Sequence, residues 1–277
     1  MKVCIPQVRA HLGDKEKNIG TIERIAGEAG ADLLVFPELF LTGYVVRDDM
    51  RILSEPLSGQ SCTRISEIAK DTGAVIIFGM AEKDARRRGI IYNTAVIAPP
   101  SGELHSYRKM FLANFGPFEE RTYFAPGRRL DLIDTHVGRI GLQVCFDIFF
   151  PELSRLLALS GAEIIVCISA SPSATREFFQ RVLPARAIEN TAFVLFSNHV
   201  GTQRDIVFWG GGEIIGPRGD VLAQGTLFEE CLVEAEISLS SLEVARHYRP
   251  TIKEARHEVL ERLVREMKEG SEALRDR

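Results

Sequence analysis

The sequence predicts an α/β fold, with one domain over residues 1–250 and a helical arm over 251–277 that belongs to the same unit. Three observations carry this reading. Apolar runs of strand length recur along the chain, among them LLVF, AVIIFG, EIIVCIS and AFVLFSN. Between them lie segments whose apolar residues fall three or four apart, the spacing of one helix face. The two patterns mix throughout, with no Ser/Gly-rich linker, low-complexity run or clear internal repeat, until a charged, helically periodic tail begins at Thr251. A chain of 277 residues with 45% hydrophobic composition is ample for a buried core.

Residues 2–6 read as a short strand. Asp14 is a natural N-cap for a helix running to about Glu28, with Ile19, Ile22 and Ile25 on one face. Residues 31–36 form a buried-strand pattern that stops at Pro37. A helix near 61–70 leads into a strand at 74–79. Strands near 90–98 and 104–108 flank a Pro-Pro-Ser-Gly turn. Residues 110–129 look irregular. Strands follow near 130–134 and 138–144, joined by a turn at 136–138. Pro151 suits the first position of a helix. A strand at 163–169, a helix at 176–189 and a strand at 192–198 come next. Residues 206–237 read as several strands joined by Gly- and Pro-containing turns. The tail is expected to be helical from Thr251, with Ile252, Ala255, Val259, Leu263 and Met267 on its apolar side.

Composition excludes several classes. Thirty-eight acidic against 34 basic residues give a net charge of −4, no basis for attracting nucleic acid or an anionic membrane. No apolar run approaches the length of a membrane span. The opening MKVCIPQVRA lacks the apolar core of a secretion signal. The five cysteines, at 4, 62, 145, 167 and 231, are scattered and odd in number, without CxxC pairs or ligand clusters. A disulfide framework and a zinc site are therefore not expected, and a reducing cytoplasm is the expected location.

Three segments place a reactive residue at the end of a predicted strand: FPELFLTGY with Glu38, YRKMFLANFGPFEERTYFAPG with Lys109 and Glu120, and GLQVCFDIFFPEL with Cys145. Strand ends suit catalytic groups, because the sheet fixes them while loops shape a pocket. Taken singly, each reads more simply as a loop carboxylate, a surface lysine or a buried cysteine. Together, in this order and with flanking GY, YRK, APG and FPEL, they resemble the nitrilase superfamily of carbon–nitrogen hydrolases, and the resemblance runs from the first strand to about Pro250. It implies a four-layer αββα sandwich and a Glu-Lys-Cys triad, which fall on Glu38, Lys109 and Cys145. The family's second glutamate falls on Glu120, with its neighbour Glu119 the less favoured choice.

On that resemblance the enzyme is an amidase. Glu38 is the general base, Cys145 forms a thioester, and Lys109 with the backbone N–H of Phe146 meets the oxyanion. Loss of one such donor typically costs about 3–4 kcal/mol of barrier. Glu120 orients Lys109 and the substrate. The scheme needs no cofactor and no metal.

The substrate is less legible. Family members that cleave carbamoyl amino acids, or that clamp a keto acid, carry arginines after the cysteine; residues 148–150 here are apolar. Tyr44, Phe149, Ala170 and Ser171 are candidates for the pocket wall. GDKEKNIGTI, PELFLTGY, NFGPFEERTYF, SASPS and LFEECLVEAEI look like the glutamine-hydrolysing domain of glutamine-dependent NAD synthetases, although no synthetase half or SGGxDS-type loop follows. A free-standing amidase leads. A glutaminase subunit feeding a separate synthetase, a nitrilase, and a binding protein on an inactive hydrolase fold are the alternatives. Aromatic residues follow a nitrilase's cysteine in CWE form, whereas Asp147 stands here.

The resemblance also implies a homodimer or larger assembly, with the arm exchanged between subunits. Arg86–Arg88 read as a solvated hairpin loop. Arg218-Gly219-Asp220 is a Pro-initiated turn, and Gly210–Gly212 mark close backbone packing rather than a phosphate loop. His199, His247 and His257 lack ligand spacing.

Overall fold

A computed structural model describes residues 1–275. Strand β1 (Lys2–Gln7), helix α1 (Lys15–Ala29) and β2 (Leu33–Val35) open the chain. A 3₁₀ turn (Arg47–Asp49) and a short α2 (Met50–Leu53) precede α3 (Gln60–Thr72), β3 (Val75–Lys83), β4 (Ile91–Ala98) and β5 (His105–Arg108). A single turn, α4 (Glu120–Tyr123), leads to β6 (Leu132–Thr135) and β7 (Gly138–Val144). A 3₁₀ turn (Cys145–Phe149), α5 (Pro151–Leu159), β8 (Ile164–Ser169), α6 (Arg176–Asn190) and β9 (Phe193–Asn198) follow. Then come β10 (Val200–Gln203), β11 (Ile206–Trp209), β12 (Glu213–Ile215), β13 (Val221–Gln224), β14 (Cys231–Glu236), α7 (Ser241–Tyr248) and α8 (His257–Arg275).

Two six-stranded sheets result, in the orders β14-β1-β2-β3-β4-β5 and β13-β12-β9-β8-β7-β6. Each has three parallel strands, one antiparallel strand on one side and two on the other. The halves therefore repeat one topology that no sequence repeat announces. Strand alternation makes the layers. Val3, Ile5, Leu33, Val35, Val75 and Ile77 face inward, sharing a core with Ile140, Leu142 and Val144 of the second sheet. Cys4, Leu34, Ile76 and Phe78 face outward, where Ile19, Ile22 and Ile25 of α1 and Ile65 of α3 cover them. Phe179 and Leu183 of α6 and Leu157 of α5 cover the second sheet. The four-layer αββα sandwich is thus the observed architecture.

Local signals explain the element ends. Asp14 accepts a hydrogen bond from the Lys17 N–H at 3.1 Å and caps α1, which closes at Gly30 in the left-handed region. The glycine run packs tightly, and a Cβ on Gly210 would lie 2.5 Å from the Gln7 side chain. Asp84 accepts from the Arg86 and Arg87 N–H groups and shapes the exposed 86–88 loop.

Four regions depart from the sequence reading. Between Thr251 and Arg256 the expected helix is replaced by turns, and α8 starts only at His257. The bonds from Ala255 to Ile252 and from Val259 to Arg256 span three residues, so the first turn does not propagate. Residues 253–269 are exposed on either side of this break, so no packed apolar face fixes where the helix begins. Helix α7, with Leu242 and Ala245 buried, and the hairpin strand β10 were not anticipated. The 3₁₀ turn and α2 over residues 47–53 were also unforeseen; that stretch is too short for helical periodicity to show. Among the described residues no helix is long and apolar enough to cross a membrane.

Candidate active site

Three loops at strand ends converge between the sheets. Glu38 follows β2 in a turn where Leu39 takes φ 50°. Gly79 of β3 lies directly beneath this turn: a Cβ there would sit 2.1 Å from the Leu39 nitrogen. Only glycine allows that approach. The Glu38 side chain is fully buried. Its Oε1 accepts from Asn93 Nδ2 at 2.7 Å and from Lys109 Nζ at 2.8 Å, and its Oε2 accepts from the Ala170 N–H at 2.7 Å. Its backbone oxygen lies 2.6 Å from His199 Nε2. A carbonyl only accepts, so His199 carries a proton on Nε2; burial pulls the ring's pKa down to about 4, which keeps it neutral near pH 7.

Lys109 follows β5 and is also fully buried. Its ammonium donates to Glu120 Oε1 at 2.7 Å as well as to Glu38. Glu120 is held in turn by the Tyr44 hydroxyl at 2.8 Å and the Ala113 N–H at 3.0 Å. Glu119 is exposed, which decides between the two glutamates.

Burial works against the Lys109 charge, but Glu120 and then Glu38 outweigh it and hold the lysine protonated. For Glu38, burial raises proton affinity, Lys109 opposes it and Glu120 adds to it; the net direction is upward. Three donors and no acceptor surround Glu38, so it is a carboxylate, but a more basic one than in water. One ammonium between two carboxylates leaves a net negative charge in a buried cluster.

Cys145 is 5% exposed and takes φ 50° where β7 breaks into the 3₁₀ turn. Such backbone is costly for a side chain bearing a Cβ and is kept where surroundings impose it. Asp147 imposes it: its Oδ2 accepts from the Val144 N–H at 3.0 Å and the Tyr107 hydroxyl at 2.9 Å, and its Oδ1 accepts from the Phe111 N–H at 2.9 Å. The aspartate straps the cysteine turn to the segment that carries Lys109. Burial pushes its carboxyl up to about 6, with Lys109 and these donors opposing. Burial, then the charge of Glu38, pushes the Cys145 thiol far above its ordinary value while Lys109 lowers it. The resting sulfur is therefore a thiol with a carboxylate and an ammonium in electrostatic reach.

Cys145 opens into a cavity of about 480 Å³, whose wall includes Phe146, Phe149 and Ser171. Of the expected wall residues, Phe149 and Ser171 lie there. Ala170 instead offers its N–H to Glu38, and Tyr44 acts on Glu120, with its ring against Phe118 and Phe208. Asn93, His199 and Asp147 were not anticipated in these roles. Asn93 sits on an inward position of β4, and His199 has no sequence neighbour that signals its bond to the Glu38 carbonyl.

A fold of this topology with a buried Glu-Lys-Glu cluster beside a cysteine turn defines a class of C–N bond hydrolase, and the chain belongs to the carbon–nitrogen hydrolase family, whose model matches residues 2–247. It is 34% identical over 247 residues to a nitrilase of Pyrococcus abyssi, covering 86% of this chain and 90% of that one. It is 33% identical over 259 residues to an (R)-stereoselective amidase of Pseudomonas sp, covering 92% of each. A glutamine-dependent NAD(+) synthetase of Thermotoga maritima is 34% identical over 247 residues, 86% of this chain but 42% of the synthetase. In structure, the amidase of Nesterenkonia sp. AN1 superposes with a TM-score of 0.82 at 28% identity, covering 95% of this chain and 99% of that one. A mutant of that amidase shows acrylamide added at its active-site cysteine. The chain is thus a carbon–nitrogen hydrolase with amidase relatives.

Proposed function

We propose that the protein hydrolyses the C–N bond of a small amide through a thioester on Cys145, releasing ammonia and a carboxylic acid. The observation that carries this is the fully buried Lys109 ammonium, held 2.8 Å from Glu38 and 2.7 Å from Glu120 beside the strained Cys145 turn. As sulfur attacks the carbonyl carbon, Glu38 takes the thiol proton. The carbonyl π pair moves to oxygen, where Lys109 and the Phe146 N–H meet the charge. Collapse breaks the C–N bond, and the proton passes from Glu38 to the nitrogen, which leaves as ammonia. Glu38 then deprotonates a water that attacks the thioester; the C–S bond breaks and the proton returns to sulfur. Glu120 and Tyr44 keep Lys109 in place. The acrylamide adduct on the Nesterenkonia amidase's cysteine supports the choice of nucleophile.

The NAD synthetase relative keeps a glutaminase reading in view, in which the ammonia passes to a separate synthetase. Both readings are tested by ammonia release from wild type and Cys145→Ser on glutamine, asparagine, short aliphatic and aryl amides, carbamoyl compounds and nitriles. Intact-mass detection of the acyl-enzyme accompanies the assay. Cys145-dependent release from amides, with an acyl adduct on Cys145, is the expected result. Release from glutamine alone replaces the free-standing reading with the glutaminase one. A wild type inert on the whole panel and unacylated overturns the proposal.

We further propose a homo-oligomer assembled in part through α8, which leaves Val259, Leu260, Leu263, Val264 and Met267 exposed. Light scattering of the full chain is expected to give at least a dimer; a monomer at micromolar concentration removes the proposal.

A further inference from the structure

The cavity above Cys145 has a chemistry that the reaction alone does not require. Six of its twelve lining residues are phenylalanines: Phe115, Phe118, Phe146, Phe149, Phe178 and Phe179. Five of them form a continuous chain of rings, and Phe178 lines the same cavity beside them. Phe115 meets Phe118 edge-on at 5.4 Å and lies tilted against Phe146 at 4.9 Å, Phe146 lies 6.0 Å from Phe149, and Phe149 meets Phe179 edge-on at 4.9 Å. Two of these rings are left open to solvent, Phe178 at 56% and Phe115 at 48% exposure. Exposed rings lining one concavity mark a place where an apolar ligand removes them from water.

Size and charge narrow the ligand. About 480 Å³ is far more room than a two-carbon amide fills. The one charged side chain on the wall is Arg181, itself three-quarters exposed and paired with Glu177 at 3.2 Å. Glutamine or a carbamoyl amino acid would bring a carboxylate, and glutamine an ammonium as well, to a wall with no buried partner for either. An aromatic ring, by contrast, finds ring edges and faces at stacking distance on several sides.

We infer that the acyl group of the substrate carries an aromatic ring one or two carbons from the amide carbonyl, with the ring seated in the phenylalanine box. The inference rests on Cys145 being the nucleophile at the floor of this cavity. Phe146 then serves twice, its N–H toward the oxyanion and its ring toward the acyl group. Apolar selectivity of this kind is graded, since a methylene in an apolar pocket is worth roughly 10–200-fold.

The test measures kcat/KM for ammonia release from phenylacetamide, 3-phenylpropanamide, acetamide and glutamine. Alongside it, calorimetry follows binding of phenylacetamide and acetamide to Cys145→Ala. The aryl amides are expected to exceed acetamide and glutamine by at least tenfold in kcat/KM, and phenylacetamide to bind Cys145→Ala more tightly than acetamide. Phe178→Ala and Phe115→Ala, at exposed positions, are each expected to lower the phenylacetamide-to-acetamide ratio at least fivefold. Cys145-dependent turnover that favours acetamide or glutamine, or ratios unmoved in both variants, overturns the aromatic assignment and leaves the hydrolase proposal standing. Absent turnover of every amide overturns the hydrolase proposal; the calorimetry then decides the cavity separately, and equal or absent binding of phenylacetamide overturns that too.

Discussion

Lys109 donates to Glu120 across 2.7 Å, with both side chains buried and Tyr44 closing on the same carboxylate oxygen. The lysine is thus anchored by a second carboxylate besides Glu38, and its ammonium has a fixed position from which to meet a developing charge. Glu120→Gln keeps the shape and an acceptor oxygen but removes one of the two charges that hold Lys109 protonated. We expect kcat to fall on the order of 10²-fold with little change in KM, because the loss falls on charge that develops in the transition state. Steady-state kinetics on the best amide of the panel checks this; a change confined to KM contradicts it.

Gly79 supports Glu38 from below. The Cβ introduced by Gly79→Ala would lie 2.1 Å from the Leu39 nitrogen and 2.6 Å from the Glu38 carbonyl carbon, backbone that has nowhere to move. Overpacking of this kind typically costs about 1–3 kcal/mol. The expected outcome is a lower urea midpoint together with a loss of kcat of at least tenfold. A variant that is destabilised but fully active would show that the Glu38 turn tolerates displacement.

His199 is buried, and burial pulls it down to about 4, against the opposing pull of its bond to the Glu38 carbonyl. The folded value is depressed below the ordinary 6.5, so its contribution to stability is complete above pH 6.5 and is lost as pH falls through 4. The loss by pH 4.5 is on the order of 2 kcal/mol. His199→Gln retains an N–H donor and removes the titration. Urea unfolding at pH 7.0, 5.5 and 4.5 is expected to show a steeper acid decline for wild type than for the variant. Parallel declines would mean that the ring is solvated.

Glu213 gives the opposite sign. It is buried on β12, and burial pushes it up to about 7, with the Gln224 side-chain donor at 2.7 Å pulling the other way. Its contribution is complete below the ordinary 4.5 and is lost as pH rises through 7. Glu213→Gln is therefore expected to stabilise the protein at pH 8 by on the order of 2 kcal/mol, and much less at pH 5. An equal gain at both pH values would assign the effect to packing instead.

Much of the fold was legible because it is written in local patterns. The apolar run in residues 74–79 and the spacing of Ile19, Ile22 and Ile25 each need only one element to be read, and they place both layers of the first half. Asp14 announced its cap in the same way. The tail's start and α7 are not legible in the sequence, because periodicity does not say where a helix finds a surface to pack on. The 251–256 stretch and α8 share one apolar spacing, which does not mark where the helix begins, and α7 shows its surface in only two buried residues.

The amino-acid sequence by itself determined the α/β class, most of the element order and, through the resemblance to a known family, the grouping of Glu38, Lys109, Glu120 and Cys145 as candidates for one site. These depend on residue type, short-range spacing and motif order, which the chain carries along its length. Only the tertiary structure decided between Glu119 and Glu120, moved Tyr44 and Ala170 from the pocket wall to the carboxylates, and brought in His199 from 161 residues beyond Glu38. It alone showed Asp147 strapping Cys145 to the Lys109 segment. Those assignments turn on which side chains lose water together and whose donors then have no other acceptor, and that is settled only when the two sheets close.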